Sequence, residues 1–231
     1  MPQRQINYSK YATKSSQKHR SLDENVSAIP LGHFKTVLRI LRNQSKRFGI
    51  RNYMIMLFAY SQLLRMDDVL NRKYSEIYDG RGKVRTDKVV FHDLKTGKRN
   101  SLNLNPIRSQ LEEYRQWRRK NHIKSIWLFP ASMAKYHQSK RFGYHDRPLS
   151  VHTYYVILKR VQYAIYRNFG WRDKLSCHLG RKESATRVYD QTHDLHLVQS
   201  LLNHSNPQTT EHYLNLKAQV KEDAKEKYLK L

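Results

Sequence analysis

Two stretches in the last quarter of the 231-residue chain carry the strongest pattern in the sequence. Residues 176–182 read SCHLGRK, and residues 201–213 read LLNHSNPQTTEHY. A histidine and an arginine three positions apart, as in the first stretch, fall on one face of a helix. The set His178, Arg181, His204 and Tyr213 therefore combines groups that bind an anion, move a proton and offer an oxygen nucleophile.

The charge balance indicates a polyanionic partner. Lys and Arg total 44 against 19 acidic residues, which gives a formal net charge of +25 and a pI of about 10.2. Lysine and arginine that neutralise phosphates release condensed counterions, so nucleic acid is the expected partner. A structural RNA-binding protein of the ribosomal type also fits this charge. Charge alone therefore indicates the class of binding partner and does not identify the reaction.

Cysteine content and hydropathy limit the compartment. The single cysteine, Cys177, excludes a disulfide framework and a cysteine-based zinc site, and it fits a reducing compartment. No apolar run approaches the roughly 18 residues of a membrane span. We therefore expect a cytoplasmic, nucleoid-associated protein. The basic, serine-containing first twenty residues have the composition of an organellar transit peptide, but a DNA-contacting arm explains them equally well.

Three segments are predicted along the chain. Residues 1–28 are polar, basic and aperiodic and are expected to form a flexible tail. Residues 29–216 form one folded domain, which is mainly α-helical with a small antiparallel β-sheet. Residues 217–231 mix charges with apolar residues at helical spacing and predict a C-terminal helix. Within the domain, helices are expected at 34–41, 53–60, 67–70, 107–114, 151–169, 178–189, 194–202 and 207–213.

Several local features refine this prediction. The segment Tyr53–Tyr60 is apolar on all sides, which is typical of a central, fully buried helix. Residues 89–91 and 101–104, on either side of a Thr96-Gly97 turn, predict a β-hairpin with Lys95 at or beside its turn. Asp194 is the expected N-cap of the helix that follows it. In the long helix of residues 151–169, one side is expected to carry Val156, Ile157, Val161 and Ile165.

Transfer of a phosphodiester to a hydroxyl side chain needs a nucleophile and neutralisation of charge on the phosphoryl oxygens. Tyr213 offers the nucleophile, although a phenol with a pKa of about 10 needs help near neutral pH. Arg65 and Arg181 offer two guanidinium groups that fork onto non-bridging oxygens, a geometry that lysine lacks. Tyr213 therefore supplies the nucleophile, and the two arginines neutralise the charge on the phosphoryl oxygens.

The same transfer needs a proton acceptor and proton donors. His178 is the candidate base for the tyrosine proton, and His204 is a candidate donor to the phosphate. Lys95, at a hairpin tip, is the candidate acid for the leaving 5′ oxygen. Lys98 competes with Lys95 for that role.

At this point the residues resemble the tyrosine recombinase (phage integrase) family. Residues 64–70 (LRMDDVL) and 74–77 (YSEI) look like its first arginine box, and residues 95–102 (KTGKRNSL) look like its lysine hairpin. HLGR at 178–181 and LNHS at 202–205, with Tyr213, match its C-terminal boxes. The resemblance spans residues 30–216 and implies the catalytic-domain fold of DNA breaking-rejoining enzymes. It assigns Tyr213 as nucleophile and, as the phosphate-activating set, Arg65, Lys95, His178, Arg181 and His204.

The resemblance also implies an activity and partners. A compact member consisting mainly of the catalytic domain is expected to be a site-specific recombinase or integrase that acts through a 3′-phosphotyrosyl intermediate. It would act on specific sites in double-stranded DNA as a homotetramer on two duplexes, without metal, cofactor, ATP or a small-molecule substrate. The segment 217–231 then either packs on its own domain or docks on a neighbouring subunit.

The sequence departs from the family's pattern at three positions, and other functions also fit it. Leu63 and Asn203 stand where the family usually has glycine, and Lys182 replaces a common histidine. A type IB topoisomerase shares the chemistry, and a catalytically inactive basic DNA- or RNA-binding protein shares the charge. Asp67 and Asp68 suggest a two-metal nuclease, although no third carboxylate stands out.

Overall fold

The computed structural model describes residues 28–131 and 146–216. The predicted tail up to residue 27 and the predicted C-terminal helix, with its docking role, lie outside the described residues. In the described part, nine α-helices accompany one two-stranded sheet and a 3-10 turn at Asn105–Ile107. The elements are α1 (Leu31–Asn43), α2 (Gly49–Gln62), α3 (Met66–Leu70), α4 (Tyr74–Ile77), β1 (Val89–His92), β2 (Arg99–Leu102), α5 (Arg108–Lys120), α6 (Val151–Phe169), α7 (Leu179–Thr192), α8 (Leu195–Leu201) and α9 (Pro207–Leu214).

Helix α2 is the centre of the domain and packs against α1 on one side and α7 on the other. Its apolar sequence buries Met54, Ile55 and Phe58 completely. The predicted central helix is confirmed, but its burial is incomplete. One stripe remains half-buried, and its residues lie at i, i+4 and i+7 along the same line of the helix surface. That stripe consists of Tyr53, Leu57 and Tyr60.

Helix α6 has the predicted bounds but a different buried face. The predicted place of Val156 on the core side is wrong, because this side chain is 37% exposed. The buried stripe starts at Tyr154, whose hydroxyl donates to the backbone carbonyl of Asn52 at 2.9 Å. Val156, two residues later, lies about 200° around the helix from it and faces outward. The buried stripe is completed by Leu158, Val161 and Ile165.

The predicted β-hairpin is confirmed. Strands β1 and β2 pair antiparallel, with Val89 opposite Leu102 and His92 opposite Arg99. The connection at residues 93–98 contains Lys95, as the Thr96-Gly97 turn predicts. Phe91 faces the core together with Leu102, so the hairpin is fixed at its base and projects its turn outward.

Helices α7, α8 and α9 carry the C-terminal candidate residues. A Cβ at Gly180 would lie 3.0 Å from both the Met56 carbonyl oxygen and the Tyr60 nitrogen, so glycine permits the close approach of α7 to α2. The predicted N-cap is confirmed, since the Asp194 carboxylate accepts from the Leu197 amide at 2.9 Å. A second small core joins the three helices and includes Ala185, Val198, Leu202 and Leu214. Among the described residues, no helix is long and apolar enough to cross a membrane.

Candidate active site

Arg181 lies in the first turn of α7, and its side chain is almost completely buried. It donates from Nη1 to the Leu63 carbonyl at 2.6 Å and from Nη2 to the Leu202 carbonyl at 2.7 Å. Desolvation, together with the charge of Arg65, lowers its pKa to about 10. The guanidinium therefore remains charged at neutral pH, and its direction is fixed by two backbone segments far apart in sequence.

Both segments contain a residue in the left-handed region. Leu63 has φ 49° and Asn203 has φ 54°. The resemblance described above leads to an expectation of glycine at both positions, and this backbone conformation agrees with it, because only glycine adopts it without steric cost. Asparagine tolerates this region better than most residues, whereas leucine does not. Leu63 is held there by its packing on the small core and by its carbonyl bond to Arg181.

Arg65 is the N-cap residue of α3 and points toward the hairpin. Its Nη1 lies 3.3 Å from Oδ2 of Asp93, a carboxylate that is 1% exposed, while the arginine side chain is 16% exposed. Asp93 is not among the site residues that the sequence predicts. Its only sequence signal is its place two residues before Lys95 in the predicted turn.

The hairpin turn lies over the loop that carries His204. Lys98 Nζ is 3.5 Å from the Asn203 carbonyl oxygen and also bonds Ser205 Oγ. Lys95 is exposed in the turn, and its charge contributes to the lowered pKa of His204. The two candidate acids thus differ in environment: Lys98 ties the hairpin to the loop, and Lys95 projects from the turn.

His178 is the N-cap residue of α7 and interacts electrostatically with Asp67. Burial raises the pKa of the Asp67 carboxyl, and the charges of His178 and Lys95 both oppose that rise. Asp67 therefore lies within electrostatic reach of the candidate base and of the candidate acid. Asp68 has another partner, since it accepts from the Leu94 amide at 2.8 Å and so joins α3 to the hairpin. Among the described residues, no cluster of three metal-ligating side chains surrounds these aspartates.

His204 is held between Arg181 and α9. Its Nε2 lies 3.4 Å from Arg181 Nη2, and its Nδ1 lies 3.1 Å from Thr210 Oγ1. A guanidinium only donates, so Nε2 accepts and the neutral ring carries its hydrogen on Nδ1. Burial lowers the pKa of His204 to about 4, with Arg181 and Arg65 as the next causes. In the free protein this ring is neutral at physiological pH.

Tyr213 lies in the last turn of α9, and its phenol oxygen is buried without a hydrogen-bond partner among the described residues. Its ring meets His204 edge-to-face at 5.8 Å between centroids, and Lys182 Nζ lies 5.4 Å from its ring centroid. Burial raises the pKa of Tyr213 to about 12, although the charges of Arg181 and Arg65 and the approach of the Arg181 guanidinium to the phenol oxygen oppose the rise. The phenol therefore faces the two guanidinium groups in its protonated form.

The structure thus brings the six predicted residues to one region. The charges of Arg181 and Arg65 act on both His204 and Tyr213, and Lys95 acts on His204 from the hairpin. His178 joins them through Asp67. Sequence reasoning missed Thr210, which lies one helical turn before Tyr213 and so faces the same side of α9. It also missed the place of Lys182 on the ring of Tyr213.

A family model described as the phage integrase family matches residues 33–219. The match covers most of the sequence, so the chain belongs to the phage integrase family. A comparison with curated protein sequences gave no match.

Solved structures of several recombinases share the fold. The pre-cleavage complex of the XerH site-specific recombinase with its difH substrate is 20% identical with a TM-score of 0.59, covering 81% of this chain and 49% of XerH. The XerA recombinase is 16% identical with a TM-score of 0.58, covering 89% of this chain and 66% of that protein. A lambda integrase tetramer bound to a Holliday junction is 18% identical with a TM-score of 0.54, covering 81% and 47%. The chain spans about half the length of XerH and of lambda integrase.

The environment of His204 predicts a pH dependence of stability. Its pKa is about 4 in the folded protein and about 6.5 in an unfolded chain, so the unfolded state takes up the proton first as the pH falls. The free energy of unfolding should therefore fall between about pH 6.5 and about pH 4 because of this residue. Glutamine does not titrate, so the free energy of unfolding of His204→Gln, measured by urea unfolding, should fall less steeply over this pH range.

The matched control is His196→Gln, at an exposed position of α8. It should keep the wild-type pH dependence. Equal slopes for wild type and His204→Gln would contradict the buried, neutral state of His204.

Proposed function

We propose that this chain is a site-specific DNA recombinase that cleaves and rejoins strands through Tyr213. The observation that carries the proposal is the buried phenol oxygen of Tyr213, which makes no hydrogen bond of ordinary geometry among the described residues and lies close enough to the Arg181 and Arg65 guanidinium groups for both to act on its pKa. Membership of the phage integrase family supports it, as do the DNA-bound structures of XerH and lambda integrase described above. The net charge of +25 favours a nucleic-acid substrate.

The two arginines would neutralise the phosphoryl group under attack. Arg181 uses two nitrogens on backbone carbonyls, and a guanidinium has five N–H donors, so donors remain for the phosphate. Guanidinium groups held in a buried site stabilise developing charge without reorganisation. An incoming phosphate would also offset the cations that lower the pKa of His204, so that Nε2 can take up a proton and donate to a phosphoryl oxygen.

In the cleavage step, one bond to phosphorus replaces another, and protein side chains accept and supply the protons. The Tyr213 oxygen forms a bond to phosphorus, and the bond from phosphorus to the 5′ oxygen breaks. The phenol proton passes to His178, and the 5′ oxygen takes a proton from Lys95. The products are a 3′-phosphotyrosyl link and a free 5′ hydroxyl.

Rejoining is the same step in reverse with a 5′ hydroxyl of the partner strand. One phosphodiester replaces another, so the bond energy is kept and no ATP is consumed. The charge stabilisation that metal ions supply in two-metal enzymes falls here to Arg65 and Arg181. Exchange between two duplexes requires four active sites, and we propose a homotetramer on two duplexes, working in the cytoplasm at the nucleoid.

The nucleophile is tested by Tyr213→Phe on a nicked suicide duplex that loses its 5′ fragment after cleavage. Wild-type protein should accumulate a covalent adduct visible as a slower band on a denaturing gel. Tyr213→Phe removes the only atom that bonds phosphorus, so its adduct should fall below detection while its DNA affinity stays within about threefold.

Tyr228→Phe is the control, because Tyr228 is the rival tyrosine near the C-terminus and lies in no matching box. It should form adduct at the wild-type rate. Adduct on Tyr213→Phe would refute the assignment, and relaxation of plasmid by monomers without site preference would favour a topoisomerase.

The acid is tested by replacing the 5′ bridging oxygen of the substrate with sulfur, because a thiolate leaves without a proton. Lys95→Ala should cleave the ordinary substrate about 10²–10⁴-fold more slowly than wild type, the usual contribution of a positioned acid. It should cleave the sulfur-containing substrate at close to the wild-type rate. Lys98→Ala should be slowed similarly on both substrates, since Lys98 ties the hairpin to the His204 loop. Rescue of Lys98→Ala but not of Lys95→Ala would exchange their roles.

A further inference from the structure

Asp93, the first residue after β1, connects three parts of the candidate site. Its carboxylate is buried and accepts hydrogen bonds from four side chains. The donors are Arg65 Nη1 at 3.3 Å, Thr96 Oγ1 at 3.4 Å, Asn100 Nδ2 at 3.0 Å and Asn203 Nδ2 at 3.1 Å.

Each donor belongs to a segment that carries a candidate catalytic group. Arg65 is the N-cap residue of α3 and is itself one of the two arginines proposed to bind the phosphate. Thr96 immediately follows Lys95 in the hairpin turn, so its bond to Asp93 fixes the turn beside the candidate acid. Asn203 immediately precedes His204 in the loop between α8 and α9. One carboxylate therefore sets the relative positions of an arginine, a lysine and a histidine.

Asn203 is suited to this role by its backbone as well as its side chain. Its φ of 54° is unfavourable for most L-residues, and asparagine is among those that adopt it most readily. Glycine, usual at this position in the family, would adopt it freely but has no amide. The Asn203 amide also donates to the Arg99 carbonyl at 3.2 Å, so it joins the His204 loop to both ends of the hairpin turn.

The charge of Asp93 matters for Arg65 in particular. A carboxylate that is 1% exposed needs compensation, and Arg65 is its ion-pair partner among the described residues. The contact occupies one nitrogen of the guanidinium, which fixes its direction and leaves further N–H groups for a phosphate.

We infer that Asp93 is a positioning residue for strand cleavage, with Asn203 as its counterpart on the His204 loop. Asp93 directs Arg65 and holds the lysine hairpin and the His204 loop in register, without touching the DNA. This inference rests on the proposed function for its catalytic consequence. The arrangement itself, a hairpin and a loop joined through one buried carboxylate, is measurable without DNA.

The catalytic test compares Asp93→Asn, Asn203→Gly and the double variant in single-turnover cleavage of the nicked suicide duplex at saturating protein. Asp93→Asn should slow cleavage about 10- to 100-fold, the usual effect of removing a group that orients a catalytic side chain. Its Kd for DNA should change by less than about threefold, because no DNA contact is lost. Asn203→Gly should cause a smaller loss. The loss in the double variant should be smaller than the product of the two single losses, because the Asn203 amide acts partly through Asp93 and partly through its bond to the Arg99 carbonyl.

Two controls match the chemical changes. Asp87→Asn removes the charge of an exposed aspartate paired with Arg85, and His193→Gly places glycine at another left-handed position, the C-cap of α7. Both should cleave at the wild-type rate. Wild-type rates in Asp93→Asn and Asn203→Gly, losses that multiply in the double variant, or losses explained by Kd would each overturn the inference.

Hydrogen exchange gives the readout that does not depend on catalysis. Backbone amides at residues 203–205 and in the turn at residues 94–97 should exchange faster in Asp93→Asn and Asn203→Gly, with the protection of α2 unchanged. Unchanged exchange at these amides would overturn the inference whatever the wild type does on DNA. A wild type that forms no adduct, with the exchange result as expected, would instead contradict the proposed function. If Asp93→Asn does not fold, Asn203→Gly decides, because it removes no charge and relieves backbone strain.

Discussion

The pair of hydrogen bonds from the buried Arg181 to the carbonyls of Leu63 and Leu202 holds the candidate site together. Leu63 lies two residues before Arg65 in the sequence, and Leu202 lies two residues before His204. One side chain therefore places a second arginine and a histidine around itself. Desolvation lowers the pKa of Arg181 to about 10, which still leaves it charged. The same group that organises the site thus remains available to an anion.

That constraint explains the arrangement of the helices around α2. Gly180 lets α7 approach the backbone of α2, and Ser184 Oγ donates to the Tyr60 carbonyl one turn further along α7. Arg181 is consequently buried at the end of α2, where the chain turns sharply through the left-handed Leu63. The cost of that conformation, on the order of 1 kcal/mol, is offset by the bonds that its carbonyl makes possible. Helices α8 and α9 then bring His204 and Tyr213 toward Arg181.

Periodicity and short boxes predicted the helices, the hairpin and the six candidate residues. Local patterns suffice there because each box lies within one element or turn. Val156 was misplaced because the buried stripe of α6 starts at Tyr154, and a tyrosine whose hydroxyl reaches a backbone carbonyl looks like a surface residue in a hydrophobicity pattern. Asp93 and Thr210 escaped notice because their roles arise from contacts between segments distant in sequence. The pKa values of His204 and Tyr213 likewise depend on burial and on cations from other elements.

The central claim is that Tyr213 becomes esterified to the 3′ end of a cleaved DNA strand. The most direct measurement is to digest the adduct from a nicked suicide duplex with protease and nuclease and to locate the nucleotide by tandem mass spectrometry. The account predicts a nucleotide joined through its 3′ phosphate to Tyr213, and a free 5′ hydroxyl on the released fragment. A nucleotide on Tyr228 or on any other residue, or a link through a 5′ phosphate, would contradict it.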